Sequence, residues 1–191
     1  MSRRVDYYFS FQSPWAYIGH NVFREVAKTY DLKVNYKPVV LVELFSETGG
    51  LPLPKRHPVR QRYRMVELQR WRDKRGLKFH LQPANWPLNA RLADGIVIAA
   101  IEAGLDPEPF MRRGFAGVWE DQLNLADPAT LTNPDFPASN CSTARVPMRL
   151  VRPTSKTVRT RLPPMCLARL LLCSMARFSG DRIESNCWRT H

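Results

Sequence analysis

Residues 5–11 (VDYYFSF) combine aromatic and β-branched side chains after a charged start, a pattern that predicts a strand. Ser13-Pro14 follows: serine is a favoured helix N-cap and proline is favoured at the first helical position. From Pro14 to about Tyr30 the apolar residues Trp15, Ile18, Val22, Phe23 and Val26 recur at helical spacing. Residues 32–38 (LKVNYKP) alternate like a second strand, and Val39, Val40 and Leu41 extend it. A strand–helix–strand unit of this kind implies a parallel pair joined by a crossover.

Helical periodicity dominates the next stretch. Residues 43–58, with Gly49-Gly50 and three prolines, read as a loop. Residues 59–75 predict a helix with an apolar stripe of Val59, Tyr63, Val66, Leu68 and Trp71, stopped at Gly76. Its many basic residues read as a solvated face. Residues 77–81 are short and extended, and residues 83–89 (PANWPLN) form a rigid loop. An Ala/Ile-rich helix over 89–103 ends at Gly104, and a further helix starts at Pro107 or Pro109 and runs to Trp119. Asp127-Pro128 begins another helix that the following sequence does not continue. Residues 132–164 show neither period and carry prolines at 134, 137, 147, 153, 163 and 164, the composition of a linker or a disordered segment. The expected organisation is therefore a βαβ half over 1–40, a helical insertion over 41–131 and an atypical tail over 132–191.

Composition changes the picture mainly in that tail. The 191 residues carry a net charge of +12, which invites a nucleic-acid-binding reading. Yet residues 1–131 hold 19 basic and 14 acidic side chains, whereas residues 132–191 hold 10 and 3, so the excess sits in the last third. All four cysteines (Cys141, Cys166, Cys173, Cys187) lie there as well, with no C-x-x-C pair, so neither a zinc site nor a redox dithiol is indicated. No apolar run of about 18 residues predicts a membrane span. The start, MSRRVDYYFSF, lacks the apolar core of a secretory signal, so a cytoplasmic protein is expected.

Candidate chemistry concentrates at Ser13-Pro14-Trp15-Ala16-Tyr17. A serine at the end of a strand that opens a helix sits at the positive end of the helix dipole, beside free backbone N–H groups. An anion is stabilised there, whether phosphate, carboxylate or thiolate. A hydroxyl donating to a thiolate lowers the thiol pKa by the same physics that acidifies a cysteine at a helix N-terminus. Locally, Ser13 reads equally as a plain N-cap. His20, His57 and His80 share no metal-ligand spacing and read as structural or surface residues; no metal is expected.

An ordered set of motifs adds to this. Tyr8-Phe9 leads to Ser13-Pro14-Trp15-Ala16-Tyr17, then Thr48-Gly49, then Tyr63, Glu67, Arg70 and Trp71 on one helix, then Trp86-Pro87-Leu88-Asn89 and Arg91. In this the chain resembles the 2-hydroxychromene-2-carboxylate isomerases, relatives of the kappa-class glutathione transferases, over residues 5–131. The resemblance implies an α/β, thioredoxin-like fold of DsbA type with an α-helical insertion. It also implies glutathione as a dissociable cosubstrate, whose sulfur Ser13, followed by Pro14, holds as thiolate. The implied substrate is a small aromatic carboxylate, 2-hydroxychromene-2-carboxylate, converted in aromatic catabolism to trans-o-hydroxybenzylidenepyruvate. Trp86, Pro87 and Asn89 match a loop near the glutathione or substrate site, or form only a structural turn. Lys55 and Arg56 meet an anionic substrate or the glycyl carboxylate of glutathione, or are two solvated loop charges. A homodimer is a further expectation. Positions 13–16 read Ser-Pro-Trp-Ala, not C-x-x-C, which excludes dithiol exchange there.

The second half of a thioredoxin sheet is not recognisable in residues 132–191. The family's missing segment resembles V-F-G-x-P-[ST]-F-V-x-D-G-x-x-F-W-G-Q-D-R. Joining the third base of each codon of residues 165–188 to the next two bases permits VFGAPSFVLDGEIFWGQDRIELL; Met165-Cys166 forces valine and Met175-Ala176 forces glycine. This predicts a frameshift near residue 132, with the second half of the sheet missing or disordered. Three alternatives stand beside the isomerase reading: a general kappa-type glutathione transferase, a basic nucleic-acid-binding protein that uses the tail, and an inactive chain whose open half-sheet aggregates.

Overall fold

Strand β1 (Arg4–Phe9) pairs in parallel with strand β2 (Lys33–Pro38), with Arg4 opposite Lys33 and Phe9 opposite Pro38. Helix α1 (Pro14–Thr29) makes the crossover. The register separates the two faces cleanly, because successive strand side chains point to opposite sides. Arg4, Asp6 and Tyr8 align with Lys33, Asn35 and Lys37 on a polar face, where Lys37 and Asn35 both donate to Asp6, at 2.6 and 2.9 Å. Val5, Tyr7 and Phe9 align with Val34, Tyr36 and Pro38 on the other. That apolar face meets α1 through Tyr7 on Phe23, with ring centroids 4.2 Å apart.

The computed structural model describes residues 3–133 and Phe136. The second half of the sheet, the altered reading frame and the four cysteines all lie outside the described residues. Among those described, the sheet has two strands. Helices make up the rest: α2 (Leu41–Thr48), α3 (Pro58–Lys74), α4 (Arg91–Glu102), α5 (Glu108–Trp119) and α6 (Pro128–Thr132), with a 3-10 turn at Leu53–Lys55. The expected helices at 14–30, 59–75, 89–103 and 107–119 are present within about two residues at each end, the ordinary spread of helix limits.

Two local readings are corrected. β2 ends at Pro38, although Val39 N–H still donates to Phe9 O at 2.8 Å. The stretch expected to be a loop then opens with α2, whose end is set by Gly49 in the left-handed region, φ 73°. An eight-residue helix with no N-cap side chain carries little local signal, so the glycines behind it dominated the pattern. Asp127 caps α6 through the Ala129 N–H, but that helix is only five residues long.

The core lies between the apolar strand face and the helices. Phe11, just past β1, is fully buried and packs on Phe9, Phe110 and Phe115, with centroids 5.0–6.2 Å apart. Gly114 permits this approach: a Cβ there would stand 2.7 Å from the Phe11 ring. Tyr17, Leu68, Phe79, Val97 and Trp119 join the same cluster, so β1–α1 and α3–α5 share one core. Burial of each such aromatic contributes about 1.5–3 kcal/mol. The apolar stripes read from sequence do not all face this core. Val22 and Val26 on α1, and Val59, Tyr63 and Val66 on α3, are exposed, while α1 buries Tyr17, Ile18, His20 and Ala27 and α3 buries Leu68.

Candidate functional site

The turn from β1 into α1, residues 10–13, has every backbone carbonyl occupied. Ser10 O accepts from Ser13 N–H at 3.0 Å, and Ser13 O accepts from Tyr17 N–H at 3.1 Å. Between them, Phe11 O accepts from the Trp119 indole N–H at 3.0 Å and Gln12 O from the Trp86 indole N–H at 3.2 Å. Two tryptophans from distant parts of the chain thus pin the loop that presents Ser13. Trp119 is at the buried end of α5. Trp86 lies in the 83–89 loop, which Gln122 fastens: its side chain accepts from Ala84 N–H at 3.1 Å and its carbonyl accepts from Asn85 at 2.7 Å.

Ser13 is the N-cap of α1, in extended conformation, and its Oγ accepts from Ala16 N–H at 3.2 Å. Pro14 is buried at the first helical position and has no N–H. Within the first turn, therefore, the Trp15 N–H is the amide that the helix itself does not use. The Ser13 hydroxyl hydrogen is not needed for capping and is free to donate. A donor hydroxyl, a first-turn amide and the positive helix end converge on one spot, a donor set that fits an anion or thiolate. Tyr17, one turn on, donates to Glu120 at 2.8 Å, and burial together with that carboxylate pushes its phenol pKa up.

The other expected site residues fall in graded positions. Trp86 touches the Ser13 turn directly. Pro87 follows it through a cis peptide and is exposed. Asn89 instead serves helix α4, its Oδ1 accepting from Arg91 N–H at 3.2 Å, while Arg91 pairs with Glu43 of α2 at 3.2 Å. Arg56 is half-buried, donates to Leu51 O at 2.7 Å and lies over the Phe45 ring. Lys55 is exposed on the 3-10 turn, with no ion pair among the described residues. Tyr63 and Arg70 share Glu67 on the exposed side of α3, and Trp71 packs against the core.

Arg64 was not singled out by the sequence. Its guanidinium sits 5.7 Å over the Trp86 ring, and burial, then the nearby charge of Arg56, lower its pKa. Trp119 and Gln122 were missed as well; nothing in a single sequence marks a long-range indole donor. Elsewhere, His20 is buried on the inner side of α1, 3.4 Å from the Tyr7 hydroxyl and 3.8 Å from Glu108, and burial lowers its pKa to about 4. Asp94 in the first turn of α4 is buried with Oδ1 lacking a hydrogen-bond partner, and burial raises its pKa to about 7. Among the described residues no group of His, Cys, Asp and Glu is arranged to hold a metal ion, and no helix is long and apolar enough to cross a membrane.

Known proteins place this geometry in context. The DSBA-like thioredoxin domain model matches residues 4–133. A 2-hydroxychromene-2-carboxylate isomerase of Pseudomonas putida is 28% identical over 120 residues, 62% of this chain and 57% of that protein. A second isomerase of the same name, from Sphingobium xenophagum, is 24% identical over 121 residues, covering 62% of this chain and 60% of its own. The chain thus spans less than two thirds of the length of these curated relatives. A solved structure of 2-hydroxychromene-2-carboxylate isomerase superposes with a TM-score of 0.56 at 25% identity over 74% of each chain. A probable DsbA oxidoreductase of Streptomyces coelicolor superposes with a TM-score of 0.55 at 14% identity, over 95% of this chain and 94% of that one, a likeness of fold.

Proposed function

This chain belongs to the DSBA-like thioredoxin domain family, and from that membership we propose that it is an isomerase of the 2-hydroxychromene-2-carboxylate type that uses glutathione as a dissociable cosubstrate. The isomerase relatives support the reaction class. One observation carries the cosubstrate: the Ser13 Oγ already accepts its capping bond from Ala16 and retains a hydrogen to donate at the positive end of α1. A cytoplasmic setting and a place in aromatic catabolism are part of the same reading.

The chemistry glutathione supplies when bound is a thiolate nucleophile, added to and lost from a conjugated double bond so that rotation is allowed between. The residues of this chain prepare that chemistry. Ser13 donates to the sulfur and favours its ionised form, assisted by the Trp15 N–H and the helix dipole. Trp119 and Trp86 hold the Ser13 turn so that its donors need no reorganisation. Trp86 adds an indole bonded one residue before Ser13, and Arg56 is the half-buried cation offered to the substrate or glycyl carboxylate. Lys55 is the more exposed second cation of that pair.

The test is conversion of 2-hydroxychromene-2-carboxylate followed spectrophotometrically with and without glutathione. Turnover that requires glutathione is the expected result. Turnover independent of glutathione overturns the cosubstrate. Conjugation of a chlorodinitrobenzene-type electrophile without isomerisation points to a general kappa-type transferase instead.

A further inference from the structure

Six arginines among the described residues are partly buried. Arg24 contacts Glu108, Arg113 contacts Asp121 at 2.6 Å and Arg72 contacts Asp73 at 3.5 Å. Arg56 and Arg75 donate to the backbone carbonyls of Leu51 and Ile18. Arg64 does neither: its contacts among the described residues are the Trp86 ring and the Met65 sulfur at 3.8 Å. Burial and the charge of Arg56 both work against the Arg64 cation, so a half-buried guanidinium there is costly to hold without a counter-ion.

We infer that Arg64, stacked on Trp86, is the specificity-determining residue that takes the carboxylate of an aromatic acid substrate beside Ser13. The inference rests on the isomerase reading for the reaction, but its ligand chemistry stands on this cluster. A guanidinium lying over an indole presents its N–H edges outward, in the geometry that accepts a carboxylate through two parallel bonds. The indole is itself fixed, because its N–H donates to Gln12 O at 3.2 Å, one residue before Ser13. Trp86 therefore couples the anion site to the sulfur site through a single side chain. The charge of Arg56, felt at Arg64, favours an anion over a neutral aromatic. A lysine at position 64 would keep the charge and lose both the fork and the stacking.

The experiment measures binding, without glutathione, of coumarin-3-carboxylate and of its neutral amide by calorimetry to the full chain. For the wild type, the acid is expected to bind at least about tenfold tighter than the amide, the scale of a charge-assisted pair. Arg64→Met is expected to abolish that difference and Arg64→Lys to restore only part of it. Equal affinity of acid and amide for the wild type, or an acid preference that survives Arg64→Met, overturns the assignment. Arg64→Gln, which keeps a polar side chain at the half-buried position, is expected to lose the acid preference as well and serves where Arg64→Met fails to fold, and an acid preference that survives it overturns the assignment equally. Failure of the isomerase reading looks different: acid-selective binding persists, but glutathione-dependent turnover is absent.

Discussion

Replacing Ser13 separates its two roles, because they use different parts of one hydroxyl. Its oxygen accepts from Ala16 N–H at 3.2 Å, so Ser13→Ala removes a cap and costs about 1 kcal/mol of stability. Its hydrogen is the donor assigned to the glutathione sulfur. A hydrogen bond to an ionised group is worth about 1.5–3 kcal/mol, and one pKa unit corresponds to about 1.4 kcal/mol, so this bond lowers the thiol by about one to two units. A free thiol titrates at about 8.5, and the bound one is held below that value. Ser13→Asp is the informative partner, since Asp caps as well as Ser but has no hydrogen to give and carries a like charge. The assay is the ultraviolet absorbance of bound thiolate against pH, beside kcat/KM against pH and urea denaturation. Because thiolate is the active form, kcat/KM should rise with pH through the bound thiol pKa. That midpoint should move up to about the free value or beyond in both variants, with stability lost only in Ser13→Ala. Ser13→Thr should retain both properties. If Ser13→Asp leaves the midpoint unchanged, the residue is a cap and the proposed chemistry is wrong.

Gly114→Ala should destabilise the fold by about 1–3 kcal/mol in urea denaturation and lower kcat, because the new Cβ displaces buried Phe11, whose carbonyl anchors the Ser13 turn. Trp86→Phe keeps a ring under Arg64 but loses the bond to Gln12 O; stability should fall by about 1 kcal/mol, with a proportionally larger loss in kcat than in KM. Asp94 and His20 should tilt stability in opposite directions with pH. The unfolded chain releases the Asp94 proton at 3.8 while the folded chain keeps it to about 7, so this group makes stability fall as pH rises across that window. His20 takes its proton at 6.5 when unfolded and only at about 4 when folded, so it makes stability fall as pH drops from 6.5 to 4. Asp94→Asn should therefore gain stability over the wild type with rising pH, by at most about 1.4 kcal/mol per pH unit, and a pH-independent difference in urea denaturation would refute the assignment.

The sequence made legible what is locally encoded. Ser13-Pro14 announced the start of α1, and the alternation of residues 32–38 announced β2, because caps and strand period depend on neighbouring residues alone. The same logic failed where tertiary packing decides. Val22 and Val26 have helical spacing yet are exposed, since α1 turns its Tyr17–Ile18–His20 side to Phe79 and Phe115. On α3 the stripe Val59, Tyr63 and Val66 is likewise exposed, and one of the half-buried positions is held by Arg64, which a hydrophobic pattern discounts. Trp86 was found through its motif, but its indole N–H reaches 74 residues back to Gln12, a pairing that no local pattern encodes.

Those long-range bonds bear on what the helical segment is for. The βαβ unit alone supplies Ser13, its cap and the helix dipole, but it leaves the carbonyls of Phe11 and Gln12 to be held by others. Both holders, Trp119 and Trp86, come from the segment that follows β2. Gln122 ties the Trp86 loop to the end of α5, so the two clamps are linked and a shift in α5 reaches Ser13 by either route. Arg64 and Arg56 come from that same segment, with Arg64 over the Trp86 ring. Ser13 thus belongs to the sheet half, whereas the bonds that hold its turn, and the proposed carboxylate-binding Arg64, belong to the helices. A change in α3 should accordingly alter which acid is accepted while leaving the thiol pKa in place, whereas a change at Trp86, Phe11 or Gly114 should disturb both.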